Sequence, residues 1–329
     1  MQPQWIPHIG VLLFDPVHAN RHLTRNALFT LGFRTIETPV TPAELKRALE
    51  TSDYDLCILD VTDQLGPVCE LIEALRHGRL GRNPFQVILA TSWIQSAEVV
   101  RKVIDAGADD VILRPLSVGA LKTRITLQVE SRKDFVVTST YIGPDRRRDP
   151  NRGPSDNLVQ VPNSLRAKAA QGLLGGANPE ELAAACRQVE RQRLHQSALR
   201  VGIGAQLIGE HLAAGLPAGV LEPELAQLSL SALDLKQRAK EPHLTHLVSL
   251  CDAALLAIEQ IRATFTGPSP AQAIGKRLEL LTQLSLAVRK ALDPGCDAAS
   301  VRQEISDTLA RVKGHRGDAA PPQPRSAQA

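Results

Sequence analysis

Leu56-Cys57-Ile58-Leu59-Asp60 is an aliphatic run that stops abruptly on a carboxylate. Nothing at helical spacing extends it, and turn formers bound it. It is therefore read as a strand buried on both faces, the kind found in parallel sheets. Asp60 then stands at the strand's carboxyl end, the edge of an open α/β sheet where ligands bind. An acid there also has an ordinary reading, as a turn former or the cap of the next helix, and Asp60 alone does not choose between them.

The neighbouring sequence repeats the pattern. Ile9 to Phe14 is a second apolar run and ends at Asp15. Leu23, Ala27, Leu28 and Leu31 follow at helical spacing and Gly32 supplies a stop. Arg34 to Pro39 reads as a short strand, and Thr41-Pro42-Ala43-Glu44 has the cap, first-turn proline and N3 glutamate of a helix start. After the Asp60 strand come a helix near Val68 to Arg76, a strand Phe85 to Ala90 leading into Thr91-Ser92, and a helix Ala97 to Ala106 that stops at Gly107. A strand Asp110 to Leu113 reaches Arg114-Pro115, and a helix Val118 to Glu130 closes the series. Strands alternating with helices imply a parallel sheet covered on both faces.

Gly107-Ala108-Asp109-Asp110-Val111-Ile112-Leu113-Arg114-Pro115, together with Asp15, Asp60 and Thr91 in register, resembles the receiver domain of bacterial two-component response regulators over residues 9 to 132. The resemblance implies a flavodoxin-like, doubly wound five-stranded parallel sheet in the order 2-1-3-4-5. It also implies roles: Asp60 as phosphoryl acceptor, Thr91 and Arg114 as partners of the phosphoryl oxygens, and Mg²⁺ held by Asp15, Asp60 and the Thr62 carbonyl. A cis peptide before Pro115 belongs to the same pattern. A carboxylate attacking phosphorus needs neutralising charge, which a metal bound by one or two carboxylates and water supplies. The sequence departs from the family in several places. Phe14 stands where the first of two acids is usual, which weakens the expected metal site, and Asp63 is the acid at hand to replace it in part. Arg114 stands where lysine is usual, a planar fork in place of a compact charge. Val111 replaces the aromatic that reports the phosphorylated state, and the usual Met-Pro after the acceptor is missing.

Residues 133 to 164 are expected to form a linker: Phe135 to Tyr141 could pair as a strand, but Ile142 to Pro154 is turn formers and charge. Arg146, Arg147 and Arg148 could meet phosphate, nucleic acid or an acidic partner, or stand solvated beside Asp145 and Asp149, the reading preferred here. From 165 to 313 strand-like alternation disappears and Ala and Leu dominate, with prolines at the helix starts Pro179, Pro223, Pro242 and Pro270. An all-α bundle that serves as output or dimerisation domain is expected, with the long helix from Pro179 bending or breaking near Gly202 and Gly204. His195, His243 and His246 lack the Lys-Gly continuation of a histidine-phosphotransfer helix and are read as solvated or core histidines. Residues 314 to 329 read as a disordered tail.

The balance of 38 basic and 35 acidic residues, net +3, is too small to call for nucleic acid, and 3% aromatic residues favour aliphatic helix packing. Cys57, Cys69, Cys186, Cys251 and Cys296 are scattered and contain no C-x-x-C pair, as in a reducing cytoplasm. No leader or membrane span is expected. The chain is thus read as a cytoplasmic, non-enzymatic signalling protein. Its expected partners are a histidine kinase or phosphotransfer protein at Asp60 and an unidentified protein, or a second copy of the chain, at the helical half. A pseudo-receiver scaffold without phosphotransfer and a DNA-binding regulator remain the alternatives.

Overall fold

The computed structural model describes residues 2–146, 158–176, 178–214, 218–239, 245–265 and 271–293, with isolated positions as far as 307. They fall into two compact units, Met1–Val189 and Glu190–Ala329.

The first unit is built on a five-stranded sheet in the order β2-β1-β3-β4-β5, every neighbouring pair parallel. The strands are β1 (Gly10–Phe14), β2 (Thr35–Glu37), β3 (Leu56–Asp60), β4 (Val87–Ser92) and β5 (Asp110–Leu113). Between and after them run α1 (His18–Thr30), α2 (Pro42–Thr51), α3 (Leu65–Arg76), α4 (Ala97–Ala106) and α5 (Val118–Ser131). Because successive strand side chains point to opposite faces, β1 and β3 divide cleanly. Leu12, Phe14, Cys57 and Leu59 pack with Leu45, Ile72 and Val103 of α2, α3 and α4. Val11, Leu13, Leu56 and Ile58 pack with Leu28, Leu121 and Ile125 of α1 and α5. The helix starts are set as their residues require: the Thr41 hydroxyl accepts from Glu44 N–H at 3.2 Å, and the Glu44 carboxylate returns to Val40 N–H at 2.8 Å. Gly107 ends α4 at φ 106°, and a Cβ there would lie 2.7 Å from the Ile142 carbonyl oxygen.

Several expectations are corrected. The buried face of α1 is Thr24, Ala27 and Leu28, whereas Leu23 is 67% exposed. The stretch expected as a connector folds back: β6 (Phe135–Val137), β7 (Ile142–Pro144) and β8 (Leu158–Val159) make a small antiparallel sheet. Arg147, Arg148 and the 314–329 tail lie outside the described residues. Helix α6 (Ser164–Gln171), assigned by sequence to the bundle, buries Leu165 and Ala169 in the α1/α5 face instead, and Lys168 Nζ stands 2.7 Å from Asp55. A short helix with two apolar anchors gives too weak a pattern to say which domain it covers.

Charge holds the added sheet to the first. Arg76 is fully buried and donates to the carbonyls of Pro84, Gln86 and Gly107 and to Asp109 Oδ2 at 2.8 Å. Asp109 also accepts from Arg132 Nε at 2.7 Å, and both guanidinium carbons lie 5.1 Å from the ring centre of Phe135 on β6. Burial lowers the Arg76 pKa to about 10, opposed by the Asp109 charge.

The second unit surrounds one apolar core with α7 (Pro179–Ala213), whose first residues belong to the first unit, α8 (Ala218–Arg238), α9 (Thr245–Phe265) and α10 (Ala271–Leu292). Val201, Ala205, Leu228, Ala232, Ala254, Ile258, Leu281 and Leu284 are buried there. α7 runs unbroken through Gly202 and Gly204, so the helix does not break there. The glycines serve close approach: a Cβ at 202 would lie 2.8 Å from Ser285 Oγ, and one at 204 would lie 2.6 Å from Leu228 Cδ2. α8 begins before Pro223 rather than at it. Among the described residues Cys57, Cys69 and Cys251 are free, and no helix is long and apolar enough to cross a membrane.

Asp109→Asn leaves Arg76 and Arg132 buried without their shared counter-ion and is expected to cost about 3 to 5 kcal/mol. Trp5 and Trp93 are the chain's two tryptophans and both lie in the first unit, so urea unfolding followed by tryptophan fluorescence reads this loss directly. An unchanged midpoint would contradict the role given to the cluster.

Candidate functional site

Sheet register brings the site together. Phe14 pairs with Leu59, Asp60 with Thr91, and Ser92 with Leu113. The residue after β1, the last of β3, the fifth of β4 and the residue after β5 therefore arrive at one carboxyl edge. Asp15, Asp60, Thr91 and Arg114, separated by up to 99 positions in sequence, form a single hydrogen-bonded cluster. All four are buried, with Asp60 4% and Arg114 5% exposed.

Arg114 is the hub. Its Nη2 donates to Asp15 Oδ2 at 2.7 Å and to Thr91 Oγ1 at 3.2 Å, and its Nε donates to Asp60 Oδ2 at 3.2 Å. Nη1 lies 3.5 Å from Thr24 Oγ1. The Arg114–Pro115 peptide is cis, as the resemblance implies. Asp60 Oδ2 also accepts from the hydroxyls of Thr91 at 3.1 Å and Thr62 at 3.3 Å, while Oδ1 accepts from Thr62 N–H at 3.0 Å. Asp15 Oδ1 accepts from Val17 N–H at 2.9 Å. Burial pushes the Asp15 carboxyl above the usual carboxylate range and the Asp60 charge adds to this; the Val17 N–H, Arg114 and Arg21 act the other way.

Sequence reasoning missed two contributors on α1. Arg21 Nη1 donates to the Asp15 carbonyl at 2.6 Å, and Thr24 is turned inward toward Arg114. Their signal was available: a polar Thr one turn from Arg21, on the face that continues as Ala27 and Leu28. The other missed feature is Trp93, which is 48% exposed and whose backbone N–H donates to Thr62 Oγ1 at 3.2 Å. Thr62 is thus hydrogen-bonded to both Asp60 and Trp93, and Ile94 beside it is 44% exposed.

The donor set does not fit a Mg²⁺ ion as arranged. Mg²⁺ demands near-octahedral oxygen coordination and retains several waters. Here every oxygen of both carboxylates already accepts a hydrogen bond, and the cluster is almost closed to solvent. Asp63, the acid expected to compensate for Phe14, is exposed. No group of three or more His, Cys, Asp or Glu among the described residues is placed to hold a metal. In the second unit, burial lowers the His195 pKa to about 4, assisted by Arg289 and Arg191, so its ring is neutral at pH 7. His243 lies outside the described residues and His246 in the first turn of α9.

No family model matches the chain. A curated relative, named cyclic di-GMP phosphodiesterase, from Thermotoga maritima, is 26% identical over 133 residues, 40% of this chain. The chain spans 34% of that relative's length. Similar solved structures include the chemotaxis response regulator CheY4 of Vibrio cholerae at 21% identity, covering 36% of this chain and 96% of that one, TM-score 0.32. A response regulator from Thermotoga maritima matches at 22% identity over 36% and 95%, TM-score 0.32. A CheY-like receiver domain protein from Methanospirillum hungatei matches at 21% over 38% and 95%, TM-score 0.33. These similar structures match the N-terminal part of the chain.

Thr91 is fully buried and both donates to Asp60 and accepts from Arg114. Thr91→Val is expected to cost about 1 to 3 kcal/mol, read as a fall in the urea midpoint. A neutral effect would mean that the hydroxyl is not held between the two charges.

Proposed function

We propose that the first unit is a response-regulator-type signal receiver in which Asp60 accepts a phosphoryl group from a histidine kinase or phosphotransfer protein, and that the helical unit is its protein-interaction output. The observation that carries this reading is the convergence of Asp60 with the Thr91 hydroxyl and the Arg114 guanidinium at the carboxyl edge of the sheet. In the transfer a carboxylate oxygen of Asp60 forms the new bond to phosphorus as the donor's P–N bond breaks, and the leaving imidazole nitrogen takes up a proton. Arg114 and the Thr91 hydroxyl, both already directed at the Asp60 carboxylate, would turn to the phosphoryl oxygens. No step here is assigned to a metal. The hydrogen bonds from Asp60 through Thr62 Oγ1 to Trp93 N–H give the modified carboxylate a route to the exposed Trp93-Ile94 pair. A charge event at a buried group is then read as a change in surface.

A second reading, a pseudo-receiver that binds partners without phosphotransfer, is favoured by one observation. Asp60 is 4% exposed and engaged at both oxygens, so a donor phosphate reaches it only after the cluster opens.

Incubation with a small-molecule phosphodonor separates the two. The first reading expects an acid-stable, base-labile acyl phosphate on the native protein, absent from Asp60→Asn, with a change in Trp93 fluorescence. A native protein that stays unlabelled with donor in excess rules out phosphotransfer and leaves the pseudo-receiver.

A further inference from the structure

We infer that the Arg114 guanidinium is this site's resident cation: it occupies the position between Asp15 and Asp60 that a divalent metal would need, and the native protein does not bind Mg²⁺ there. The inference depends only on the arrangement of the cluster and is independent of whether Asp60 takes a phosphoryl group.

Three observations carry it. The first is charge: two buried carboxylates face one guanidinium that is paired to both, at 2.7 Å and 3.2 Å. A second guanidinium, Arg21, lies against the Asp15 backbone. Two negative charges are thereby met by two positive ones, which weakens the attraction for a further cation. The second is valence. Asp15 Oδ1 and Oδ2 and Asp60 Oδ1 and Oδ2 all accept hydrogen bonds within the cluster, from Val17 N–H, Arg114, Thr62 N–H and Thr91. A metal would have to strip several of these donors at once, leaving them buried without partners. The third is shape. A guanidinium donates along fixed in-plane directions and can span two carboxylates simultaneously, whereas an ammonium is a point charge with rotatable donors. Only an arginine at position 114 can reach Asp15, Asp60, Thr91 and Thr24 together.

Substitution at 114 should therefore create the metal site that the native residue fills. Arg114→Met removes the cation and leaves the carboxylates facing each other, and Arg114→Lys supplies one charge but cannot pair with both. Mg²⁺ titrations into the full chain are followed by tryptophan fluorescence and by thermal unfolding. Native protein is expected to show no saturable response at millimolar Mg²⁺. Arg114→Met and Arg114→Lys are expected to bind at least about tenfold more tightly, and to lose that gain when combined with Asp15→Asn. A saturable response of native protein that Asp15→Asn abolishes overturns the inference. So does a folded Arg114→Met, judged by circular dichroism, that gains no Mg²⁺ affinity. If Arg114→Met fails to fold, Arg114→Lys carries the same comparison, and the native titration decides independently of both.

Discussion

Arg114 offers its donors in one plane, and all three of its nitrogens are spent inside one buried cluster, on Asp15, Asp60, Thr91 and Thr24. Isolated carboxylates at 0% and 4% exposure would be costly in a low-dielectric interior, and a partner that satisfies both at once makes their burial tolerable. The rest of the first unit can be understood as what holds that contact in place. The register of β1, β3, β4 and β5 delivers the four residues to one edge, and the two apolar faces fix the register, because a one-residue slip would turn each strand's core side chains to the wrong face.

At the opposite, amino-terminal side of β5 a second buried charge cluster answers a different need. Arg76 and Arg132 share Asp109 and flank Phe135, so that the small sheet β6 to β8 is fastened by charge and ring contacts. The two clusters are alike in chemistry and unlike in consequence. Around Asp109 the guanidiniums are also committed to backbone carbonyls, as in a permanent fastening. Around Asp60 the partners are the Thr62 N–H and three side chains, Thr62, Thr91 and Arg114, and the Thr62 hydroxyl also accepts from the backbone N–H of an exposed tryptophan.

The parallel sheet was legible because its strands are short aliphatic runs ending on polar residues, and because its helices carry ordinary caps such as Thr41 and Gly107. The convergence of Asp15, Asp60, Thr91 and Arg114 was legible from their order along the chain. The role of Arg114 as a bridge was not, since spacing tells which residues reach an edge but not which oxygens each will meet. Thr24 and Arg21 are not legible in the apolar pattern of α1, because Leu23, which belongs to that pattern, faces solvent. The region after residue 132 was misjudged for a related reason: Gly143 and Pro144 look like turn formers, yet they pair with Val136 and Phe135 as an edge strand. Propensity alone marks Gly202 and Gly204 as weak points in a helix, whereas close packing against Ser285 and Leu228 is what favours glycine there.

The energetic link between Arg114 and Asp15 is measured most directly by a double-mutant cycle. Urea unfolding of the native chain, Arg114→Met, Asp15→Asn and the double variant gives the coupling free energy between the two side chains. The bridge predicts a favourable coupling of about 1 to 3 kcal/mol, with the double variant far less destabilised than the sum of the singles. Effects that add to within about 0.5 kcal/mol would show that the two groups do not sense each other, and the claim that Arg114 serves as the site's own cation would fall.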